Sequence, residues 1–240
     1  MNQTRTIEPE LLDSMTPADP RAIRARRDLQ RVNALMGHAS IFRQILRDAV
    51  SPERLPAKIV ELGAGDGTLM LRLAHQLAPR WPRARLQLVD RYPAIDDGTV
   101  DGFAALGWRA EVVEADAMEW TRTMPGSDLT VANLFLHHFQ DLQLIELFRR
   151  VSRKTAVFAA CEPRRSSVAS IGSHLLGLAG CGPIARYDAV VSVRAGFSGT
   201  ELGALWPKGN GWRLQEGKAG LFTHAFVARR SRPSNQPAKP

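Results

Sequence analysis

Residues 59–68 read Ile-Val-Glu-Leu-Gly-Ala-Gly-Asp-Gly-Thr: an apolar run entering three glycines at alternate positions, with a carboxylate, Glu61, two residues before the first. A short apolar strand that enters a glycine turn and leaves it as an amphipathic helix is the opening unit of a doubly wound α/β sheet. Glycine at 63, 65 and 67 lets the backbone turn sharply and lets a ligand lie against it with no Cβ in the way. A flat or extended ligand is expected on this loop.

Several cofactor classes share such a turn. A dinucleotide fingerprint places its third glycine at position 68, where this chain has Thr68, and it asks for no acid at 61. A P-loop continues Gly-Lys-Ser or Gly-Lys-Thr, whereas Gly67-Thr68-Leu69 has no lysine. Both phosphate readings are weakened. The remaining Glu-x-Gly-x-Gly-x-Gly pattern resembles the first motif of the class I S-adenosylmethionine-dependent methyltransferases. The resemblance implies a Rossmann-like α/β fold with a doubly wound, mostly parallel seven-stranded sheet and S-adenosylmethionine as cofactor. It sets Glu61, Gly63, Ala64, Gly65 and Gly67 against the methionine half of that cofactor, which carries an amino-acid end and no phosphate.

The rest of the chain alternates as such a sheet requires. Helices are expected at 21–36, where Ile23, Leu29, Val32, Leu35 and Met36 recur among arginines up to Gly37, and from a Ser40 cap to Val50. Strands follow at 58–62, 85–90, 110–116, 128–133 and 155–161, with helices over 69–77, 97–106 and 140–152 between them. Each strand run is short and apolar, as buried parallel strands are. Residues 212–218 and 221–230 read as a hairpin about Gly220, its last strand antiparallel to the fifth by the same resemblance. The organisation expected is an N-terminal helical arm or lid at 1–57, a cofactor-binding domain at 58–230, and a disordered proline-rich tail at 231–240.

Ligands of open α/β sheets bind outside the carboxyl ends of the strands. Asp90 ends the second strand 23 residues after Gly67, where an acid can accept hydrogen bonds from both hydroxyls of a ribose, with Arg91 beside it. Asp116 ends the third strand and is followed by Ala117, and the resemblance gives this pair to the adenine. Asn133 ends the fourth strand and opens Asn-Leu-Phe-Leu-His-His-Phe139, which falls at the family's fourth motif beside the transferable methyl. The Asn/Asp-Pro-Pro-Tyr/Phe signature of enzymes acting on exocyclic base nitrogens is absent. The segment instead resembles that of methyltransferases acting on quinones, polyketides and other small molecules.

His137 and His138 are the candidate general bases, since a phenol of pKa about 10 gains from a base near neutral pH. On a helix, adjacent residues point about 100° apart, so one of them is expected to face the ligand. His38, His75 and His224 have no comparable context. Glu162 and Arg164 follow the fifth strand at the same edge. The apolar stretch from Val168 to Ala185, with Ile171, Leu175, Leu176 and Leu178, reads as a helical insert within 164–197 that roofs the substrate pocket. His174, Tyr187 and Arg194, with His138, Glu162 and Arg164, are its candidate acceptor contacts.

Of the 240 residues 44% are hydrophobic, enough for one sizeable core. Cys161 and Cys181 form no Cys-x-x-Cys pair and no dense framework, and no metal site is expected. Without a secretory leader or an apolar run of about 18 residues, the expectation is a soluble cytoplasmic protein. The net charge of +8 leaves nucleic acid open as a partner, although Arg21, Arg24, Arg26, Arg27 and Arg31 share one helix and Arg229, Arg230, Arg232 and Lys239 lie in or beside the tail. A methyltransferase acting on a small apolar or aromatic hydroxyl, as monomer or homodimer, is the leading expectation. An RNA methyltransferase and a catalytically silent cofactor-binding protein are the alternatives.

Overall fold

The computed structural model describes residues 4–16, 19–177, 180–209 and 211–231. The tail reading at 232–240 and Leu178 lie outside the described residues. Two helices lead: α1 (Pro20–Leu35) and α2 (His38–Ala49). Asp19 caps α1 by accepting the Arg21 N–H at 2.8 Å, and Pro20 supplies the fixed φ of the first turn. α2 starts at His38 rather than at a Ser40 cap, because Gly37 takes a left-handed φ of 67° that separates it from α1.

Strands β1 (Lys58–Leu62), β2 (Arg85–Asp90), β3 (Arg109–Glu114), β4 (Ser127–Asn133), β5 (Thr155–Pro163), β6 (Trp212–Ala219) and β7 (Thr223–Arg230) form one sheet in the order β3-β2-β1-β4-β5-β7-β6. The first five are mutually parallel, and β7 is antiparallel to both β5 and β6. The expected seven-stranded, mostly parallel sheet with its terminal hairpin is therefore present. β3 departs from the apolar reading: it is an edge strand, and Glu111 and Glu114 give it a largely exposed face.

The crossovers are α3 (Thr68–Leu77), α4 (Asp97–Ala105), α5 (Ala117–Thr123) and α6 (Asp141–Lys154). The helical insert consists of α7 (Ser167–Leu175) and α8 (Pro183–Ala195), followed by short α9 (Glu201–Leu205). The break follows from Gly177, Gly180, Gly182 and Pro183, which cannot continue a helix at low cost. Among the described residues no helix is long and apolar enough to cross a membrane.

Alternation along the strands divides the core in two. Ile59, Leu86, Leu88, Leu129 and Val131 pack against Phe42, Leu46, Met70, Leu73 and Phe103 from α2, α3 and α4. Val60, Leu62, Phe158 and Phe226 pack against Leu144, Leu147, Phe148 and Trp206 from the opposite side. Phe42 and Leu46 are fully buried, so each contributes on the order of 1.5–3 kcal/mol. The α2 segment is thus stitched into the core. Residues 4–14 are stitched in as well: Arg5 donates to Ala195 O at 2.8 Å, Phe139 O at 2.8 Å and Asp141 Oδ1 at 2.9 Å, and buried Asp188 accepts the Leu11 N–H at 2.7 Å.

Candidate functional site

The glycine turn is drawn tight by β2. Gly63, Gly65 and Gly67 have φ of 73°, 56° and 72°, the left-handed region that side chains resist. The N–H groups of Gly63 and Ala64 donate to Val89 O at 2.9 and 3.1 Å, and that of Gly65 donates to Asp90 Oδ2 at 2.8 Å. Asp90 Oδ1 accepts the Tyr92 N–H at 2.8 Å. A Cβ on Gly63 would stand 2.3 Å from the Phe135 ring, so this glycine is required by the approach of the segment after β4 as well as by φ.

In front of the turn lies a cleft of about 540 Å³, walled by Glu61, Gly63, Ala64, Gly65, Asp66, Asn133 and Leu134 on the sheet side and by Gln30, Asn33, Gly37 and His38 on the helical side. It lies at the carboxyl ends of β1 and β4. Four buried side-chain polar atoms lack a hydrogen-bond partner among the described residues, and three of them, Glu61 Oε2, Asn133 Oδ1 and His38 Nδ1, belong to this cleft. Such atoms are costly when left bare and mark where a polar ligand is expected. Burial, and then the charges of Asp66 and Asp90, push the Glu61 carboxyl well above its ordinary range. Burial lowers the His38 imidazole to about 4; Asn133 beside it favours the cation, yet neither His38 Nδ1 nor Asn133 Oδ1 completes a bond. His38 Nε2 is 3.0 Å from Thr223 Oγ1. His38 and His75 both line the cleft, which corrects the reading that they lack context; His224 is buried against Glu216 at 2.8 Å.

Five of the expected cofactor residues, Gly67, Asp90, Arg91, Asp116 and Ala117, stand beyond these walls. Asp90 reaches the cleft only through the Gly65 N–H, and Gly67 faces Ile95 and Thr99. Asp116 caps α5, accepting the Glu119 N–H at 3.0 Å, and pairs with exposed Arg91, which holds its carboxyl below the usual range. Buried Ala117 follows it.

A second cleft, about 410 Å³ and mostly apolar, shares Asn33 and Leu134 with the first. Its walls come from α1 and its cap (Leu29, Val32, Met36), α7 and its cap (Ala169, Gly172, Leu176), α8 (Ala189, Ser192, Val193), Pro163 and Phe222, with Glu10, His137 and His138 at its polar part. Leu134, at the junction, has a φ of 49°, the one positive value outside glycine among the described residues. Its N–H donates to Cys161 O at 2.9 Å, fixing the strand end against β5.

The two histidines occupy a 3₁₀ turn and stand side by side, ring centroids 4.2 Å apart and tilted 33°, so both line the cleft instead of one. His137 is buried with both nitrogens engaged: Nδ1 lies 2.8 Å from Glu162 Oε2 and Nε2 lies 3.4 Å from Glu10 Oε1. Burial alone would lower its pKa, but the two carboxylates overcome this and raise it to about 9. Conversely Glu10, which burial would raise, is drawn down to about 2, chiefly by His137. At neutral pH His137 is a clamped imidazolium with no lone pair for a proton, so the base role expected of it is corrected.

Glu162 is corrected too. It is fully buried behind His137 and accepts the N–H groups of Phe135 at 3.1 Å and Leu136 at 2.9 Å, so it shapes the loop instead of touching an acceptor. Arg164 stands outside the walls of both clefts, and it is the neighbouring Arg165 that is buried, bonded to Gly196 O, Glu201 and Ser198. His174, Tyr187 and Arg194 are exposed and line a separate shallow depression of α7 and α8, so they do not line the apolar cleft. Glu10, Asn33 and the small inward residues of α7 and α8 were given no role in the site from sequence, and Leu29, Val32 and Met36 were expected only as the apolar face of α1.

No protein-family model matches the chain, and no curated protein matches it in sequence. Solved structures do match. The plantazolicin methyltransferase BpumL in complex with SAH aligns at a TM-score of 0.64 and 14% identity over 89% of this chain and 92% of that one. The plantazolicin methyltransferase BamL aligns at 0.54 and 13% over 89% and 88%. The pyocyanin biosynthetic protein PhzM aligns at 0.58 and 18%, over 92% of this chain and 62% of its own. The fold is that of a class I methyltransferase. In this methyltransferase fold the glycine-turn cleft lies at the strand ends where such sheets take ligands, and the apolar cleft opens beside it.

Proposed function

We infer that the protein transfers a methyl group from S-adenosylmethionine to a small apolar or aromatic acceptor, at a hydroxyl oxygen. The observation that carries this reading is the pair of bare acceptor atoms, Glu61 Oε2 and Asn133 Oδ1, in the glycine-turn cleft. Asn133 Oδ1 needs a donor and Glu61, once it gives up its proton, needs a cation; the ammonium of the cofactor's methionine end supplies both. Asp90 beyond the turn suits the ribose, and the missing phosphate-binding residues suit a ligand without phosphate. The solved relatives that share the fold include plantazolicin methyltransferases captured with SAH, which agrees with this cofactor.

The acceptor belongs in the apolar cleft, whose walls offer few polar groups beyond Glu10, His137, His138 and Ser192. Leu134 and Asn33 border both clefts, so the methyl would pass at that junction. Transfer from a sulfonium is an in-line displacement with a good leaving group, and holding the acceptor in line in a dry pocket supplies much of the acceleration. His138 is the histidine left at the polar part of the cleft beside the acceptor, while His137 and Glu162 hold the loop. Calorimetry with S-adenosylhomocysteine tests the reading first: one site per chain is expected, and no affinity would end it. A screen of phenolic acceptors with methyl-labelled cofactor then tests the acceptor class, with incorporation only into amines or carbon nucleophiles counting against oxygen.

A further inference from the structure

Glu10, His137 and His138 meet at the polar part of the apolar cleft, with one ligand-type atom from each lying within 4.8 Å of the others. Glu10 Oε1 is 3.4 Å from His137 Nε2. Two donors on one tetrahedral ion stand about that far apart, since bonds of about 2.0–2.2 Å at roughly 109° give roughly 3.3–3.5 Å. The far side of the His137 ring is tied to Glu162 Oε2 at 2.8 Å, and Glu162 is itself held by the backbone of Phe135 and Leu136. A buried carboxylate behind an imidazole whose other nitrogen faces a cavity is the arrangement that orients metal-binding histidines. Two imidazoles and one carboxylate beside open space form the donor set of an open-sided site for a borderline divalent cation, whereas magnesium and calcium take oxygen donors.

We propose that Glu10, His137 and His138 bind one divalent cation of the zinc class, with Glu162 orienting His137 and the open coordination position facing the apolar cleft. The ion takes the place of the proton between His137 Nε2 and Glu10. Its role, though not its binding, rests on the methyltransferase reading. An acceptor hydroxyl bound at the open position releases its proton to water. Its oxygen then forms the new bond to the methyl carbon as the carbon–sulfur bond breaks and its electron pair stays on sulfur.

The test uses full-length, tag-free protein stripped with a chelator, titrated with ZnCl2 by calorimetry and with CoCl2 by visible absorption. One ion per chain is expected, with cobalt bands well above those of the aqua ion and saturating at one equivalent. Glu10→Ala and His138→Ala should each weaken zinc binding at least about 10-fold, with folding checked by circular dichroism. His174→Ala, in the separate depression, should leave it unchanged. Absence of the cobalt bands in the unmutated chain overturns the site without reference to any variant, and so does zinc binding equal in both variants and wild type. S-adenosylhomocysteine titrations on the same samples separate the two claims. Cofactor binding without ion uptake removes the metal site alone, and ion uptake without cofactor binding removes the methyltransferase reading alone.

Discussion

The two clefts that meet at Leu134 are assembled in opposite ways. The glycine-turn cleft draws Glu61, the turn and Asn133 from the ends of neighbouring strands, so each group sits at a position that the strand pattern dictates. The apolar cleft gathers residues from Glu10 to Phe222, on a strap, three helices, a 3₁₀ turn and the β6–β7 loop. A parallel sheet specifies what its strand ends hold through short local sequence. What lies above it depends on long-range helix packing, which has no fixed spacing.

Gly63→Ala should hit both clefts at once and hardest, because its Cβ meets Phe135 and its φ is left-handed. A loss of about 2–4 kcal/mol is expected from strain and overpacking, read by denaturant unfolding, together with loss of S-adenosylhomocysteine binding. Unchanged stability would mean that the turn and the segment after β4 do not touch as described. Asp90→Ala should affect the cofactor cleft alone, weakening S-adenosylhomocysteine about 100-fold through loss of two charge-assisted bonds. Full affinity in that variant removes Asp90 from the site.

Glu61→Gln sharpens the comparison through pH. A carboxyl whose folded pKa is raised binds more protons folded than unfolded, so its contribution declines as pH rises from its ordinary value near 4.5 toward the raised one. Glu61→Gln should therefore gain in melting temperature relative to wild type as pH rises through that window, while binding S-adenosylhomocysteine about 10-fold more weakly. A melting-temperature difference that is flat with pH would contradict the buried, proton-holding state. Leu134→Gly should shift unfolding free energy by no more than about 1 kcal/mol, since relief of the positive φ offsets lost burial. Methyl transfer should fall more than cofactor affinity, and equal losses would place Leu134 in the cofactor cleft only. His174→Ala should leave stability within about 0.5 kcal/mol and both ligand affinities unchanged.

The strands, the hairpin and the glycine turn were legible because each is a local pattern: period, length, and glycine where φ must be positive. Element ends moved by a residue or two where caps decided them, as at Gly37. Glu10 could not be read, since nothing near it in sequence signals that a strap held by Arg5 and Asp188 brings its carboxylate to His137. Glu162 was seen but given the wrong task, because a charge after a strand looks solvated until the backbone N–H groups of Phe135 and Leu136 close over it. Tyr187 and Arg194 failed for a related reason: an apolar insert with many small residues does not disclose which helix face turns inward.

The central claim is that the cofactor lies along the glycine turn with its sulfur at Leu134, between the two clefts. A crystal structure of the protein with S-adenosylhomocysteine tests it most directly. The account predicts density running past Gly63 and Gly65, its amino end against Glu61 and Asn133 and its ribose at Asp90. Density confined to the apolar cleft, or at the strand ends with the amino end turned away from Glu61, would contradict it.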